Sequence, residues 1–134
     1  MTNTEDQFTK EEHSNLKTIL IIEDEAAIGD LLVEAILEET PHRAVLAADG
    51  PRAFHIIEHI KPSLFLLDFH LPQMNGIEVY DRLHATNGLE HIPAILMTAG
   101  VLQHDIRRRK IVGISKPVDL NKLLDLIEEL LAEE

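Results

Sequence analysis

The chain has 134 residues, no cysteine, and 24 acidic against 12 basic side chains, a formal charge of −12. This length makes one domain with a core of its own. The missing thiols exclude disulfides, zinc–thiolate centres and cysteine nucleophiles, and the acidic balance opposes general binding to nucleic acid or an anionic membrane while suiting a cation site. No apolar run approaches the roughly 18 residues of a membrane span. The N-terminus lacks a basic start followed by an apolar stretch, so a cytoplasmic, reducing compartment is expected.

Residues 1–16 are polar and of mixed charge, and are expected to form a flexible tail; residues 17–134 form the domain. Thr18 to Ile22 is β-branched and apolar, a first strand that ends abruptly in Glu23-Asp24-Glu25. The next stretch places Ile28, Leu31, Leu32, Ala35 and Ile36 on one helical face, until Pro41 stops it. Arg43 to Ala48 predicts a second strand, Asp49-Gly50 a turn, and Pro51 the first turn of a helix running to about Ile60. Leu64 to Leu67 is a continuous apolar run closed by Asp68, the pattern of a strand buried on both faces. Asn75 with Glu78 three residues on predicts a capping box at the start of a helix from Gly76 to about Thr86. Ala94 to Met97 predicts a fourth strand that finishes at Thr98. Leu102 to about Arg109 predicts a short helix, Ile111 to Ser115 a fifth strand, and Leu120 to about Ala132 a last helix with Leu123, Leu124, Ile127, Leu130 and Leu131.

Five strand–helix repeats imply an α/β fold, a doubly wound parallel sheet with helices on both faces. Ligands of such sheets bind beyond the C-terminal ends of the strands. The residues at those ends are Glu23 and Asp24, Asp68, Thr98, and Lys116. A lone strand-end aspartate also serves as a helix cap or a solvated loop acid; here three further strand ends answer it. Three crowded carboxylates repel unless a cation sits among them, and an oxygen-rich acidic site suits magnesium. Lys116 and Thr98 supply the positive charge and the hydroxyl donor that phosphoryl oxygens need. A carboxylate in that setting can act as a nucleophile and form an acyl phosphate.

Taken as an ordered set, these motifs resemble the receiver domain of two-component response regulators, of CheY-like, single-domain type. The set is Glu23-Asp24 after the first strand, Leu67-Asp68-x-x-Leu71-Pro72-x-Met74-Asn75-Gly76, Thr98-Ala99, and Lys116-Pro117. The resemblance spans Lys17 to Glu134 and implies a flavodoxin-like sheet of order 2-1-3-4-5. It also implies that Asp68 is the phosphoacceptor. Asp24 and Asp68 would ligate Mg2+ directly, Glu23 through water, and the backbone carbonyl of His70 would complete the protein ligands. Thr98 would bind the phosphoryl group and move on activation, Lys116 would pair with it, and the Lys116-Pro117 bond would be cis. The phosphodonor would be a phosphohistidine on a sensor histidine kinase or a histidine phosphotransfer protein. The output would be a phosphorylation-dependent contact with a downstream protein, or onward phosphotransfer. A homodimer, where one forms, is expected through the face of the fourth helix, fifth strand and last helix. The implied protein is a signalling switch that catalyses only its own phosphorylation and dephosphorylation.

Two departures bear on this resemblance. Gly113 occupies the place, three residues before Lys116, where the family often carries an aromatic, and the stretch from Thr98 to Lys116 is short. The fourth helix is therefore expected to be short, shifted or partly irregular. His70 is expected at the site entrance, as a bystander or as a residue that guides water. His55-Ile56-Ile57-Glu58-His59 matches the H-x-x-E-H pattern of a metalloprotease class, but a protease would also need a third ligand and a larger cleft, and His55 and His59 share the face opposite the apolar arc, so a solvated face without a metal role is expected. Arg107-Arg108-Arg109-Lys110 is a basic cluster at a helix end, either a solvated face or a docking patch for an acidic partner. Two other functions stand beside the switch. One is a degenerate receiver that acts as a phosphorylation-independent interaction module. The other is a haloacid-dehalogenase-type phosphatase, for which the second acid of Asp-x-Asp and a cap domain are missing.

Overall fold

The computed structural model describes residues 16–100, 103–109 and 111–132. The expected N-terminal tail lies outside the described residues apart from Leu16, as does Leu102. The elements alternate throughout: β1 (Thr18–Ile22), α1 (Ala26–Glu39), β2 (Arg43–Ala47), α2 (Gly50–Ile56), β3 (Leu64–Asp68), α3 (Gly76–His84), β4 (Ala94–Thr98), α4 (Gln103–Arg109), β5 (Val112–Ser115) and α5 (Leu120–Ala132). All four strand pairings are parallel, and the sheet order is β2-β1-β3-β4-β5. This is the order expected from the sequence.

The alternation of side chains along each strand builds two cores from one sheet. Leu20, Ile22, Phe65, Leu67 and Leu96 point to one face, where they meet Ala53 of α2 and Ile77, Val79, Tyr80 and Leu83 of α3. Ile19, Ile21, Leu64, Leu66 and Ile95 point to the other, against Leu32 and Ile36 of α1 and Leu123, Ile127 and Leu131 of α5. β3 and β4 are buried along their whole length, which explains their unbroken apolar sequences. Each such side chain taken out of water contributes about 1.5–3 kcal/mol before the entropy of ordering is subtracted.

Several boundaries and faces differ from the sequence expectation. α2 ends at Ile56, and residues 57–59 continue as a turn; Ile60 is exposed. α3 ends at His84 rather than near Thr86. On α1 the buried face is Gly29, Leu32 and Ile36, while Ile28 and Leu31 are 36% and 50% exposed. α4 is short, with seven residues, as the compressed stretch after Thr98 required.

The loop from β3 into α3 is held tightly. Asn75 accepts the backbone N–H of Glu78, and the Glu78 carboxylate accepts the backbone N–H of Asn75, so the predicted capping box is present. Gly76 donates its N–H to the carbonyl of Phe69 at 2.8 Å. A Cβ at position 76 would lie 2.6 Å from the backbone oxygen of Asp68, so no side chain fits there.

Candidate functional site

The sheet order sets the site. Strand order reverses between β1 and β3, and their C-terminal ends open a crevice at that switch point. Glu23 and Asp24 leave β1, and Asp68 ends β3 beside them. One ligand oxygen from each of the three carboxylates lies within 4.8 Å of the other two. Glu23 and Asp68 are buried, at 2% and 3% exposure, whereas Asp24 is exposed.

Burial and crowding leave this cluster electrically unsatisfied. Burial pushes the Glu23 carboxyl up to about 7; the N–H of Glu25 pulls it back, and the neighbouring Asp68 charge raises it further. Glu23 Oε2 accepts the Glu25 N–H at 3.0 Å. Its other oxygen, Oε1, is buried without a hydrogen-bond partner. An orphaned buried carboxylate oxygen facing two further carboxylates is the donor set that a hard divalent cation satisfies, so these residues fit a magnesium ion.

Asp68 has partners of its own. Lys116 Nζ donates to Asp68 Oδ1 at 2.6 Å, and the backbone N–H of His70 donates to the same oxygen at 3.1 Å. Lys116 reaches it from the end of β5, where the peptide bond to Pro117 is cis. The His70 imidazole is exposed and edge-on to Phe69.

Thr98 ends β4 between these groups, buried to 5% exposure, and its carbonyl accepts the backbone N–H of Lys116 at 3.0 Å. Its hydroxyl is engaged with Gly100, whose N–H it accepts at 3.0 Å. The structure thus brings Glu23, Asp24, Asp68 and Lys116 together, and holds the Thr98 hydroxyl in the loop that leads to α4.

Sequence reasoning missed three features around this site. An apolar cavity of about 260 Å³ lies beside it, lined by Ile28, Leu31, Val118 and Leu120 with Glu23 and Lys116 at its polar end. Its signal was present in the extra apolar residues of α1, which exceed what one buried face needs. The second feature is a clamp on α4. Arg109 grips Asp81 of α3 through Nε and a terminal nitrogen at 2.6 and 2.9 Å, and Tyr80 donates its hydroxyl to the Arg109 carbonyl. Nothing local in the sequence pairs residues 28 positions apart. The third concerns Gly113. Ile106 of α4 lies over it, with Cδ1 2.8 Å from where a Cβ would stand. An isoleucine from α4 therefore covers the place of the absent aromatic.

Comparison with known proteins agrees with this geometry. The family model of the response regulator receiver domain matches residues 19–128. The polar-differentiation response regulator DivK of Brucella anthropi is 28% identical over 121 residues, covering 87% of this chain and 98% of that protein. The CheY-like receiver domain protein of Methanospirillum hungatei superposes with a TM-score of 0.79 at 29% identity, covering 88% of this chain and 95% of the other. Chemotaxis protein CheY4 of Vibrio cholerae has the same fold, with a TM-score of 0.79 at 17% identity over 86% and 98% of the two chains. Sheet order, strand-end acids and these matches agree, and the chain belongs to the response regulator receiver domain family.

Proposed function

We propose that this receiver domain is a phosphorylation switch in which Asp68 accepts a phosphoryl group from a phosphohistidine. The observation that carries the reading is the pairing of Asp68 with Lys116 inside a cluster of three carboxylates at the switch point of the sheet. In the transfer, an Asp68 carboxylate oxygen forms the new O–P bond. The P–N bond to the donor imidazole breaks, and its electron pair stays on the ring nitrogen. Lys116 stays beside Asp68 and offsets the charge on the phosphoryl oxygens. Asp68 itself is buried, while exposed Asp24 and His70 stand at the rim where water reaches the acyl phosphate for its hydrolysis. Glu23, Asp24, Asp68 and the His70 carbonyl would hold Mg2+, which supplies charge neutralisation when bound.

Thr98 has the role of reporter. Its hydroxyl must leave Gly100 to reach a phosphoryl group on Asp68, and that exchange alters the start of the loop into α4. The usual aromatic readout has no counterpart at Gly113, so Ile106 and the Arg109 clamp carry the change to the α4–β5–α5 face. That face serves the downstream partner or a second copy. A phosphohistidine donor needs a surface next to Asp68, and the exposed Ile28 and Leu31 at the rim of the apolar cavity provide it. The reaction is self-modification rather than turnover of a substrate.

Borohydride trapping tests the assignment. After incubation with a phosphorylated histidine phosphotransfer protein and Mg2+, reduction converts an acyl phosphate at Asp68 into homoserine, which peptide mass spectrometry locates. Homoserine at position 68 supports the reading, and an unmodified Asp68 alongside a dephosphorylated donor contradicts it.

A further inference from the structure

The second cluster of metal-ligating side chains lies away from the sheet edge. We propose that His55, Glu58 and His59 form a site for a zinc-type divalent transition-metal ion on the outer face of α2. All three are exposed, and one ligand atom from each lies within 4.8 Å of the other two. Among the described residues, this trio and the acidic cluster at Asp68 are the two groups that meet that condition.

The backbone explains the convergence. α2 ends at Ile56, and the chain then tightens, with Glu58 N–H bonded to the His55 carbonyl and His59 N–H to the Ile56 carbonyl. Bonds of that i to i+3 type bring residues three apart over one another, so Glu58 stands above His55. Ile60 N–H still reaches the Ile56 carbonyl at 3.0 Å, which keeps the pitch near helical and sets His59 one turn beyond His55. The His55 and His59 rings meet edge to face at 5.5 Å. Ile56 and Ile57 pack against the core on the other side and anchor the segment.

The distances suit a small ion. His55 Nδ1 and Glu58 Oε1 are 3.9 Å apart, and these side chains are 74% and 65% exposed. Tetrahedral ligands at about 2.0–2.1 Å from zinc stand about 3.4 Å from one another, so modest rotations of free side chains close the site. Arg82, which lines the same hollow as Glu58, is held over the Phe54 ring at 4.6 Å. The trio sits at the carbonyl end of α2, where the helix dipole favours a cation, and the net charge of −12 adds to that preference. Two imidazoles and one carboxylate select zinc, nickel or copper over magnesium, which prefers oxygen ligands. The remaining coordination positions face solvent, beside an open hollow of about 630 Å³ that His55 lines together with Pro51, Arg52 and Gln73. What is proposed is ion binding.

The test is calorimetric titration of the full chain with zinc chloride while saturating Mg2+ occupies the acidic cluster. Wild type and Asp24→Asn should bind one zinc ion with the same affinity. His55→Ala/His59→Ala should weaken that event at least about a hundredfold, and Glu58→Gln about tenfold. Substitution of Ni2+ should broaden amide NMR signals around residues 52–60 and spare those around Asp68. The proposal is overturned if zinc fails to bind, if the double histidine variant binds it as wild type does, or if Asp24→Asn abolishes the event. Circular dichroism confirms that the variants are folded; the positions are exposed, and alanine favours the helix.

Discussion

Lys116 Nζ lies 2.6 Å from Asp68 Oδ1, an ion pair that ties the end of β5 to the end of β3 across the end of β4. Asp68 is almost fully buried while Lys116 keeps contact with water, at 4% and 27% side-chain exposure. Removing the lysine therefore leaves a buried carboxylate beside Glu23 and Asp24 with its nearest positive charge gone. Lys116→Ala should destabilise the magnesium-free protein by about 1–3 kcal/mol, and Mg2+ should recover part of the loss. Urea titrations with and without Mg2+ measure both effects; an unchanged midpoint in the absence of metal contradicts the assignment.

The clamp between α3 and α4 acts locally. Arg109 is mostly covered, but Asp81 is half exposed, so solvent screens part of the attraction. Asp81→Asn should cost about 1 kcal/mol or less in global stability. It should nevertheless speed amide exchange across residues 103–109, because this pair and the Tyr80 hydroxyl fasten a helix of only seven residues. Exchange that stays at the wild-type rate means that packing of Ile106 alone holds α4.

Ile106 and Gly113 should prove coupled. A methyl group at position 113 meets Ile106 Cδ1, the flexible end of a side chain, at 2.8 Å. Gly113→Ala should therefore cost about 1 kcal/mol, and Gly113→Tyr more. Shortening the neighbour should relieve the clash, so Ile106→Ala combined with Gly113→Tyr should be less destabilising than the two single effects added. Additive effects in this double-mutant cycle remove the contact from the account.

Two histidines set an acid limit on stability. Burial lowers the His42 imidazole below its ordinary value of 6.5, Glu128 raises it and Lys17 lowers it again. Burial likewise lowers His84, against the bond that its Nε2–H makes to the Ile92 carbonyl at 2.7 Å. Both are neutral when folded and gain a proton near 6.5 when unfolded, so the unfolded chain binds more protons below that pH. The contribution of these two histidines is complete above 6.5 and declines as pH falls toward the lowered folded values, while Glu23, raised to about 7 in the fold, works in the opposite sense and costs stability as pH rises through that value. Thermal melts at about pH 7.5 and 5.5 should differ less in His42→Asn and His84→Asn than in wild type; equal differences contradict the assignment.

The order of elements and the acids, hydroxyl and lysine at the strand ends were legible because each is a local pattern. Leu64 to Asp68 reads as a buried strand that ends in a carboxylate, and Asn75 with Glu78 reads as a cap. The direction of the Thr98 hydroxyl toward Gly100 was not legible, since a two-residue turn bond leaves no periodic trace. Neither were the Arg109–Asp81 grip and the cover that Ile106 gives Gly113, which depend on where α4 docks after a shortened loop. The period of α1 placed Ile28 and Leu31 with the core residues. Helical spacing marks an apolar arc, however, and does not separate its buried centre from a rim that borders a cavity.

Intact mass decides whether Asp68 is the phosphoacceptor. The protein is incubated with Mg2+ and a small-molecule phosphoramidate, beside Asp68→Asn under the same conditions. One added phosphoryl group is expected on wild type, none on the variant, and loss of the addition when chelator removes Mg2+. An unmodified wild-type chain, or a variant modified to the same extent, contradicts that role.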